Sequence, residues 1–393
     1  MADFDVNDNS DIYYQGRYWN DFEVVEHRIN ERISGDPACP WYEHFARVTG
    51  RTFERALILN CGNGWVERGL VTAGLIRQGV GIDYAADLLD EARTAAAQSR
   101  LPLRYEQRNI NTGVLPAGPF DLVVNHAAAH HIAAIDRVFR EVCRILPEDG
   151  WFVSFDYVGP HRNQYAPEAW EAAWFVNQAL PESVRQDMQY PHLPTMLVTD
   201  PTEAIHSELI VETFRRYFRT HEFTPLGGAI AYPLLTHNTR LFELEDRAEQ
   251  QAVVEQVLEA DDRFLREHPE STLFAYFAGT PDKSALERTD QLASWEADET
   301  ARERQAAEHG GEYYERGALA SALIDLDRAR IEHERDRARL QALEAEVAAL
   351  RSDPLYASTN RLVDSGLTRR IRAVPAIGAT ERRIRGALRK GAG

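Results

Sequence analysis

The chain has 393 residues, which is long for one average domain, so a core with an appendage is expected. Its composition, 44% hydrophobic and 27% charged, is that of a globular protein. A net charge of −18 argues against general nucleic-acid binding through phosphate neutralisation. No apolar run approaches the roughly 18–20 residues that a membrane-spanning helix requires.

The first residues, MADFDVNDNS, are acidic and polar and predict no secretory leader. Cys39, Cys61 and Cys143 are widely spaced and odd in number, so neither a disulfide framework nor a zinc knuckle is expected. Together these features predict a cytoplasmic protein. From Arg361 onward, nine Lys and Arg residues face only Asp364 and Glu381, a balance of +7 that leaves −25 on the first 360 residues. A basic tail on an acidic body points to a protein partner or to the inner face of the membrane.

In chain order, residues 1–50 form an N-terminal segment whose YYQGRYW stretch, Tyr13–Trp19, is either an aromatic lid or plain packing. Strands are predicted at Ala56–Asn60, Val80–Asp83, Pro102–Gln107, Phe120–Asn125 and Gly150–Val158, alternating with helical stretches. IDRVFREVCRIL, Ile135–Leu146, has apolar residues at helical spacing and stops at Pro147. Residues 161–213 are rich in Trp, Tyr, His and Pro and read as an insert covering the sheet. Two later strands, near Phe218–Thr224 and Thr272–Gly279, flank one more helix and close a seven-stranded, mostly parallel α/β sheet. The predicted core domain is 51–283. Residues 284–350 are dense in Ala, Glu, Arg and Leu; Leu340, Leu343, Val347 and Leu350 follow coiled-coil spacing, while His333 and Asp336 fall on the same seam. This segment is either a short coiled coil, which could support a homo-oligomer, or an exposed single helix. Residues 351–393 form the basic tail, read as an amphipathic anchor or a solvated terminus.

The chemistry-bearing turn is NCGNGWVE, Asn60–Glu67. Gly62 and Gly64 let the backbone approach a ligand, and the following helix N-terminus offers free N–H groups. Asp83 ends the next predicted strand, 19 residues after Gly64, where a carboxylate can accept both hydroxyls of an adenosine ribose. A dinucleotide fingerprint would want a third glycine where Glu67 stands. A phosphate-free adenosine cofactor tolerates that loss.

ILNCGNG, GIDYAADLLDEAR, RNIN with FDLVVNHAAAHH, and LPEDGWFVSFDYVGP occur in the order and spacing of class I S-adenosylmethionine-dependent methyltransferase motifs, and the chain resembles that superfamily over about 50–160. DYVGPHRNQY and DPTEAIHSE also resemble bacterial methyltransferases associated with surface-glycan assembly. The resemblance implies a Rossmann-like fold and S-adenosyl-L-methionine as cofactor. By it, Asn60, Gly62 and Gly64 would line the methionine moiety, and Asp83 with Tyr84 would hold the ribose. Asn109 and Asn111 would lie near the adenine, and Asn125 and His126 would face the sulfonium. Two departures stand out: the family usually has an acidic residue where Asn60 stands and often a third glycine where Val66 stands.

His126, His130 and His131 admit three readings. They could be metal ligands, although no carboxylate or Cys joins them locally, and no metal is assigned. They could be structural caps. One of His130 or His131 could also be a general base that takes a proton from an acceptor hydroxyl. Asp156 closes the fifth strand and is the further candidate for catalysis. His161, Arg162, Gln164, His192, Glu203, His206 and Tyr232 are hydrogen-bonding residues suited to a polyhydroxylated acceptor or to bracing loops. The expected activity is O-methylation of a hydroxyl on a saccharide or glycan intermediate. The alternatives are a small-molecule or lipid methyltransferase, or a non-catalytic scaffold that binds partners through its helical tail.

Overall fold

The computed structural model describes residues 17–191, 196, 200 and 202–288, together with 329, 333, 335–337 and 339–345. The chain divides into two compact units, 1–317 and 318–393. The described residues of the second unit are helical and include Leu340 and Leu343, whereas Val347, Leu350 and the basic tail lie outside the described residues. Among the described residues no helix is long and apolar enough to cross a membrane.

The first unit is built on seven strands: β1 Phe53–Leu59, β2 Ile76–Asp83, β3 Leu103–Gln107, β4 Leu122–His126, β5 Trp151–Tyr157, β6 Phe218–Gly227 and β7 Phe274–Pro281. Their spatial order is β3-β2-β1-β4-β5-β7-β6, parallel except for β7, which runs antiparallel to both neighbours. The apolar runs of β1 and β4 are buried along almost their whole length because helices cover both faces of a parallel sheet. The crossover helices are α3 Trp65–Thr72 after β1, α4 Ala86–Gln98 after β2 and α5 Ile135–Ile145 after β4. In α5, Ile135, Val138, Phe139 and Val142 form one buried stripe, and Phe139 meets Phe152 of β5 edge to face at 5.0 Å.

Among the described residues, the predicted insert contains α6 Pro167–Ala179 and three short 3-10 turns, and it runs into α7 Ile210–Tyr217. Two short helices, α8 Ala231–Leu235 and α9 Thr239–Phe242, precede α10 Arg247–Glu267. Asp246 caps α10 by accepting from Ala248 N at 3.0 Å and Glu249 N at 3.1 Å. Further along α10, buried Asp261 accepts from Gly228 N, Ile230 N and Ala231 N at 2.9, 2.7 and 3.2 Å, so one carboxylate holds the turn after β6.

Upstream of the sheet lie α1 Glu23–Ser34 and α2 Trp41–Thr49, and both are integral to this unit. Arg28 and Arg32 of α1 pair with Asp262 of α10. Trp19 is buried against Phe274, 5.0 Å between rings, and Tyr232, 6.3 Å. The described part of the expected lid, from Arg17, is therefore packed structure; Tyr13 and Tyr14 lie outside the described residues.

Candidate functional site

In a doubly wound sheet, ligands bind beyond the carboxyl ends of the strands at the point where strand order reverses. Here that point falls between β1 and β4. The loop Asn60–Gly64 leaves β1 there, and the loop from Ala127 to Ala134 leaves β4 beside it. Asn60 Nδ2 donates to Ala128 O at 3.2 Å and ties the two loops together.

Three residues of the first loop have left-handed backbones: Asn60 at φ 43°, Gly62 at 55° and Gly64 at 76°. Glycine adopts this conformation freely, and asparagine tolerates it better than most residues do. The glycine-type positions of the turn are thus 60, 62 and 64. Val66 is helical and buried in the first turn of α3.

Asp83, at the end of β2, fastens the turn: Oδ2 accepts from Gly62 N at 2.8 Å and Oδ1 from Ala85 N at 2.9 Å. Burial pushes its pKa up, and the amides of Ala85, Gly62 and Tyr84 oppose that shift. A carboxylate offers about four acceptor sites, so these two bonds leave capacity for a pair of ribose hydroxyls. The donor set therefore fits an adenosine-type cofactor. Beneath the turn, Glu67 of α3 is fully buried, and no hydrogen bond of ordinary geometry reaches either of its oxygens. Burial raises its pKa to about 7, opposed by its backbone amide and by the neighbouring Tyr105 hydroxyl.

Several residues expected at the cofactor also have partners within the scaffold. Asn125 is buried and donates from Nδ2 to Ser154 Oγ at 2.8 Å and to Asp156 Oδ2 at 2.6 Å. His126 lies between Trp41 and Phe155, at 5.8 and 5.1 Å with near-parallel rings. Burial lowers its pKa to about 4 against the pull of Asp156, so it is a neutral member of an aromatic stack. Asn111 donates to His131 O at 3.1 Å and accepts from Ala133 N at 2.8 Å, bracing the loop after β4. Asn109 accepts from Asn111 N at 2.9 Å, and Tyr84 O accepts from Gln107 Nε2 at 3.0 Å.

Asp156, at the end of β5, is fully buried. Its Oδ2 accepts from Asn125 Nδ2, Ala128 N at 3.2 Å and Ala129 N at 2.7 Å; its Oδ1 accepts from Tyr157 N at 2.7 Å and meets His130 Nδ1 at 2.5 Å. Burial alone would raise its pKa, but His130, Asn125 and Ala129 hold it below the usual carboxylate range. So many donors leave Asp156 no free face for an acceptor. Its work is to fix the His130 ring, which corrects its expected catalytic role to a positioning one. Burial would lower the His130 pKa, but the Asp156 charge and hydrogen bond, aided by Glu203, hold it above the ordinary imidazole value. His131 is lowered to about 4 by burial and by its neighbour His130, against the opposing charges of Glu203 and Asp156.

The insert brings Glu203 to this pair. Its Oε2 lies 3.9 Å from His130 Nε2 and 3.7 Å from His131 Nε2. The insert loop is braced by residues expected to touch substrate. Arg162 Nη1 donates to Glu203 O at 3.1 Å, and Gln164 Nε2 donates to Arg162 O at 2.9 Å and Pro191 O at 3.2 Å. His206 N donates to His161 Nδ1 at 3.2 Å, its ring stacks on His161 at 5.7 Å, and its Nδ1 meets Ala133 O at 2.8 Å. These four hold the loop's shape. His192 lies outside the described residues. Tyr232 packs on Trp19, Tyr157 and Phe274. The pKa values of Tyr18, Tyr157, Tyr165 and Tyr232 are all raised by burial first and by Glu203 among the lesser causes, so four tyrosines share its surroundings. Sequence reasoning missed Tyr18, Asn163, Tyr165 and Thr202. The only available signal was their position within or beside the YYQGRYW, HRNQY and DPTE segments.

The geometry defines a doubly wound sheet with an imidazole–carboxylate cluster beyond the carboxyl ends of β4 and β5. Residues 57–154 match the model of a methyltransferase domain family. An uncharacterised methyltransferase, YcgJ of Bacillus subtilis, is 24% identical over 157 residues, covering 35% of this chain and 60% of that protein. The malonyl-[acyl-carrier protein] O-methyltransferase of Legionella pneumophila is 29% identical over 148 residues, 34% of this chain and 51% of that protein. The chain thus spans between half and two thirds of the length of the curated relatives it matches. Among solved structures, geranyl diphosphate C-methyltransferase from Streptomyces coelicolor aligns at 12% identity and a TM-score of 0.40, covering 61% of this chain and 78% of that one. The YcgJ structure aligns at 17% identity and 0.37, covering 61% and 97%. The seven-stranded mixed sheet is consistent with a Rossmann-like methyltransferase fold, and the cofactor of such methyltransferase domains is S-adenosylmethionine.

Proposed function

We propose that this chain is an S-adenosylmethionine-dependent methyltransferase that methylates a hydroxyl of a saccharide or glycan intermediate. The observation that carries the reading is the juxtaposition at the strand ends. A left-handed turn fastened by Asp83 sits beside a histidine pair braced by Asp156, at the reversal point of the sheet. Asp83 is assigned to the ribose hydroxyls, and the backbone of Asn60–Gly64 to the amino-acid end of the cofactor. When bound, S-adenosylmethionine supplies an electrophilic methyl group. The chain's own task is then to align an oxygen nucleophile and shield it from water. His130, His131 and Glu203 offer the polar, partly exposed surface that a polyhydroxylated acceptor needs. The basic tail is assigned to holding the enzyme near membrane-bound glycan assembly.

Calorimetric titration with S-adenosylhomocysteine and with NAD tests the cofactor assignment. Binding of the first alone is expected, and NAD binding with no response to S-adenosylhomocysteine overturns it. Incubation of cell-envelope fractions with methyl-labelled cofactor tests the acceptor. Label should enter base-resistant glycan, and label confined to protein or lipid refutes the glycan assignment.

A further inference from the structure

His130 and His131 are neighbours in sequence, and Glu203 arrives from the insert more than seventy residues later. Their ligand-type atoms all lie within 4.8 Å of one another. The hydrogen bonds behind each side chain fix which atom faces the centre. Asp156 accepts so many other hydrogens that it must take the His130 Nδ1 hydrogen as well, which leaves Nε2 as the ring nitrogen turned toward Glu203, where a metal ion can displace its proton. The Thr202 hydroxyl donates to Asp200 Oδ1 at 2.9 Å, so at His131 Nδ1, 3.2 Å away, its oxygen accepts. That assignment leaves His131 Nε2 as a lone pair. Asn163 Nδ2 donates to Glu203 Oε1 at 3.3 Å, and Oε2 is the oxygen turned toward both rings.

Two imidazole Nε2 atoms and a carboxylate oxygen thus converge, each side chain held from behind by a second residue. Histidines that ligate metals are held in this way through their other ring nitrogen. The three side chains are 12%, 22% and 21% exposed, so the centre is sheltered yet open on one side. We propose that His130 Nε2, His131 Nε2 and Glu203 bind a divalent transition-metal ion of the zinc class, with open positions for an acceptor oxygen. Two imidazoles select such ions over magnesium or calcium, and three protein ligands leave a vacant site. At metal–ligand distances of about 2.1 Å, tetrahedral ligand atoms lie roughly 3.4 Å apart. The observed 3.7 and 3.9 Å need to close by only a few tenths of an ångström, which the Glu203 side chain can supply. The metal site rests on these side chains alone, while its role in seating the acceptor rests on the methyltransferase reading.

The test uses the full, tag-free chain after dialysis against a chelator, titrated with Zn2+ by calorimetry and with Co2+ by visible absorption. One equivalent should bind, and Co2+ should develop the d–d bands of mixed nitrogen and oxygen ligation. Glu203→Gln and His131→Ala should weaken binding at least 100-fold. Thr202→Val, which touches no metal, should weaken it 10–100-fold. Far-UV circular dichroism and S-adenosylhomocysteine affinity, measured on the same samples, report folding and the cofactor site separately. Loss of S-adenosylhomocysteine binding with Co2+ binding intact would refute the methyltransferase reading and leave the metal site standing. Absence of stoichiometric binding in the wild type, or affinity unchanged in Glu203→Gln and His131→Ala, overturns the proposal and leaves the pair as imidazoles acting without metal.

Discussion

Glu67→Gln isolates the energetic consequence of a carboxyl group buried under the glycine turn after β1. In the unfolded chain Glu67 titrates near 4.5, and in the folded protein near 7, chiefly because burial disfavours its charged form. Between those pH values the folded state holds one proton more than the unfolded state does. Stability contributed by the protonated carboxyl is therefore complete below about pH 4.5 and declines as pH rises to about 7, where the loss levels off. A shift of this size corresponds to about 3 kcal/mol across the window. A glutamine side chain has nearly the same shape as glutamate and never ionises. Variant and wild type should be equally stable at pH 4, and the variant should gain roughly 3 kcal/mol over wild type by pH 8. Urea denaturation followed by tryptophan fluorescence at half-unit pH steps measures both curves. Parallel curves from pH 4.5 to 8 would refute the reasoning, because the Glu67 carboxyl would then titrate alike in both states.

Asp83→Ala should weaken S-adenosylhomocysteine binding by about 1.5–3 kcal/mol, since charged hydrogen bonds are lost; a calorimetric Kd within threefold of wild type refutes the ribose assignment. Gly64→Ala places a methyl group at φ 76° with its carbon 2.5 Å from Tyr105 Oη and 2.9 Å from Glu67 Oε1. It should lower Tm by several degrees, and adding Tyr105→Phe should recover part of that loss by removing the nearest atom; no recovery would assign the cost to backbone strain alone.

Local pattern made much of this molecule legible. The apolar runs at 56–60, 120–125 and 150–158 became β1, β4 and β5 to within a few residues, because a strand covered on both faces must be apolar throughout. The glycine turn and Asp83 were readable for a similar reason. A tight strand-to-helix turn needs left-handed residues, and the acceptor for its amide must come from the end of the adjacent strand. The side-chain environment of the histidines was not readable. The motif alone set His126, His130 and His131 within one six-residue stretch, yet the structure separates them. His126 is stacked between Trp41 and Phe155 and meets Trp65 edge to face, while His130 faces Asp156. A 3-10 turn at Ala129–His131, held by the hydrogen bonds of Ala128 N and Ala129 N to Asp156, makes that division.

The arrival of Glu203 is of the same kind. Sequence determined that the pair His130–His131 would stand just beyond the carboxyl end of β4, because strand and turn chemistry are written locally. Which carboxylate would meet them depended on how residues 161–213 fold back over the sheet. That path is set by non-local hydrogen bonds, Arg162 to Glu203 O and His206 to Ala133 O, whose partners lie 41 and 73 residues apart. Periodicity reports which face of an element is buried, but only tertiary packing decides which two distant side chains share one cavity.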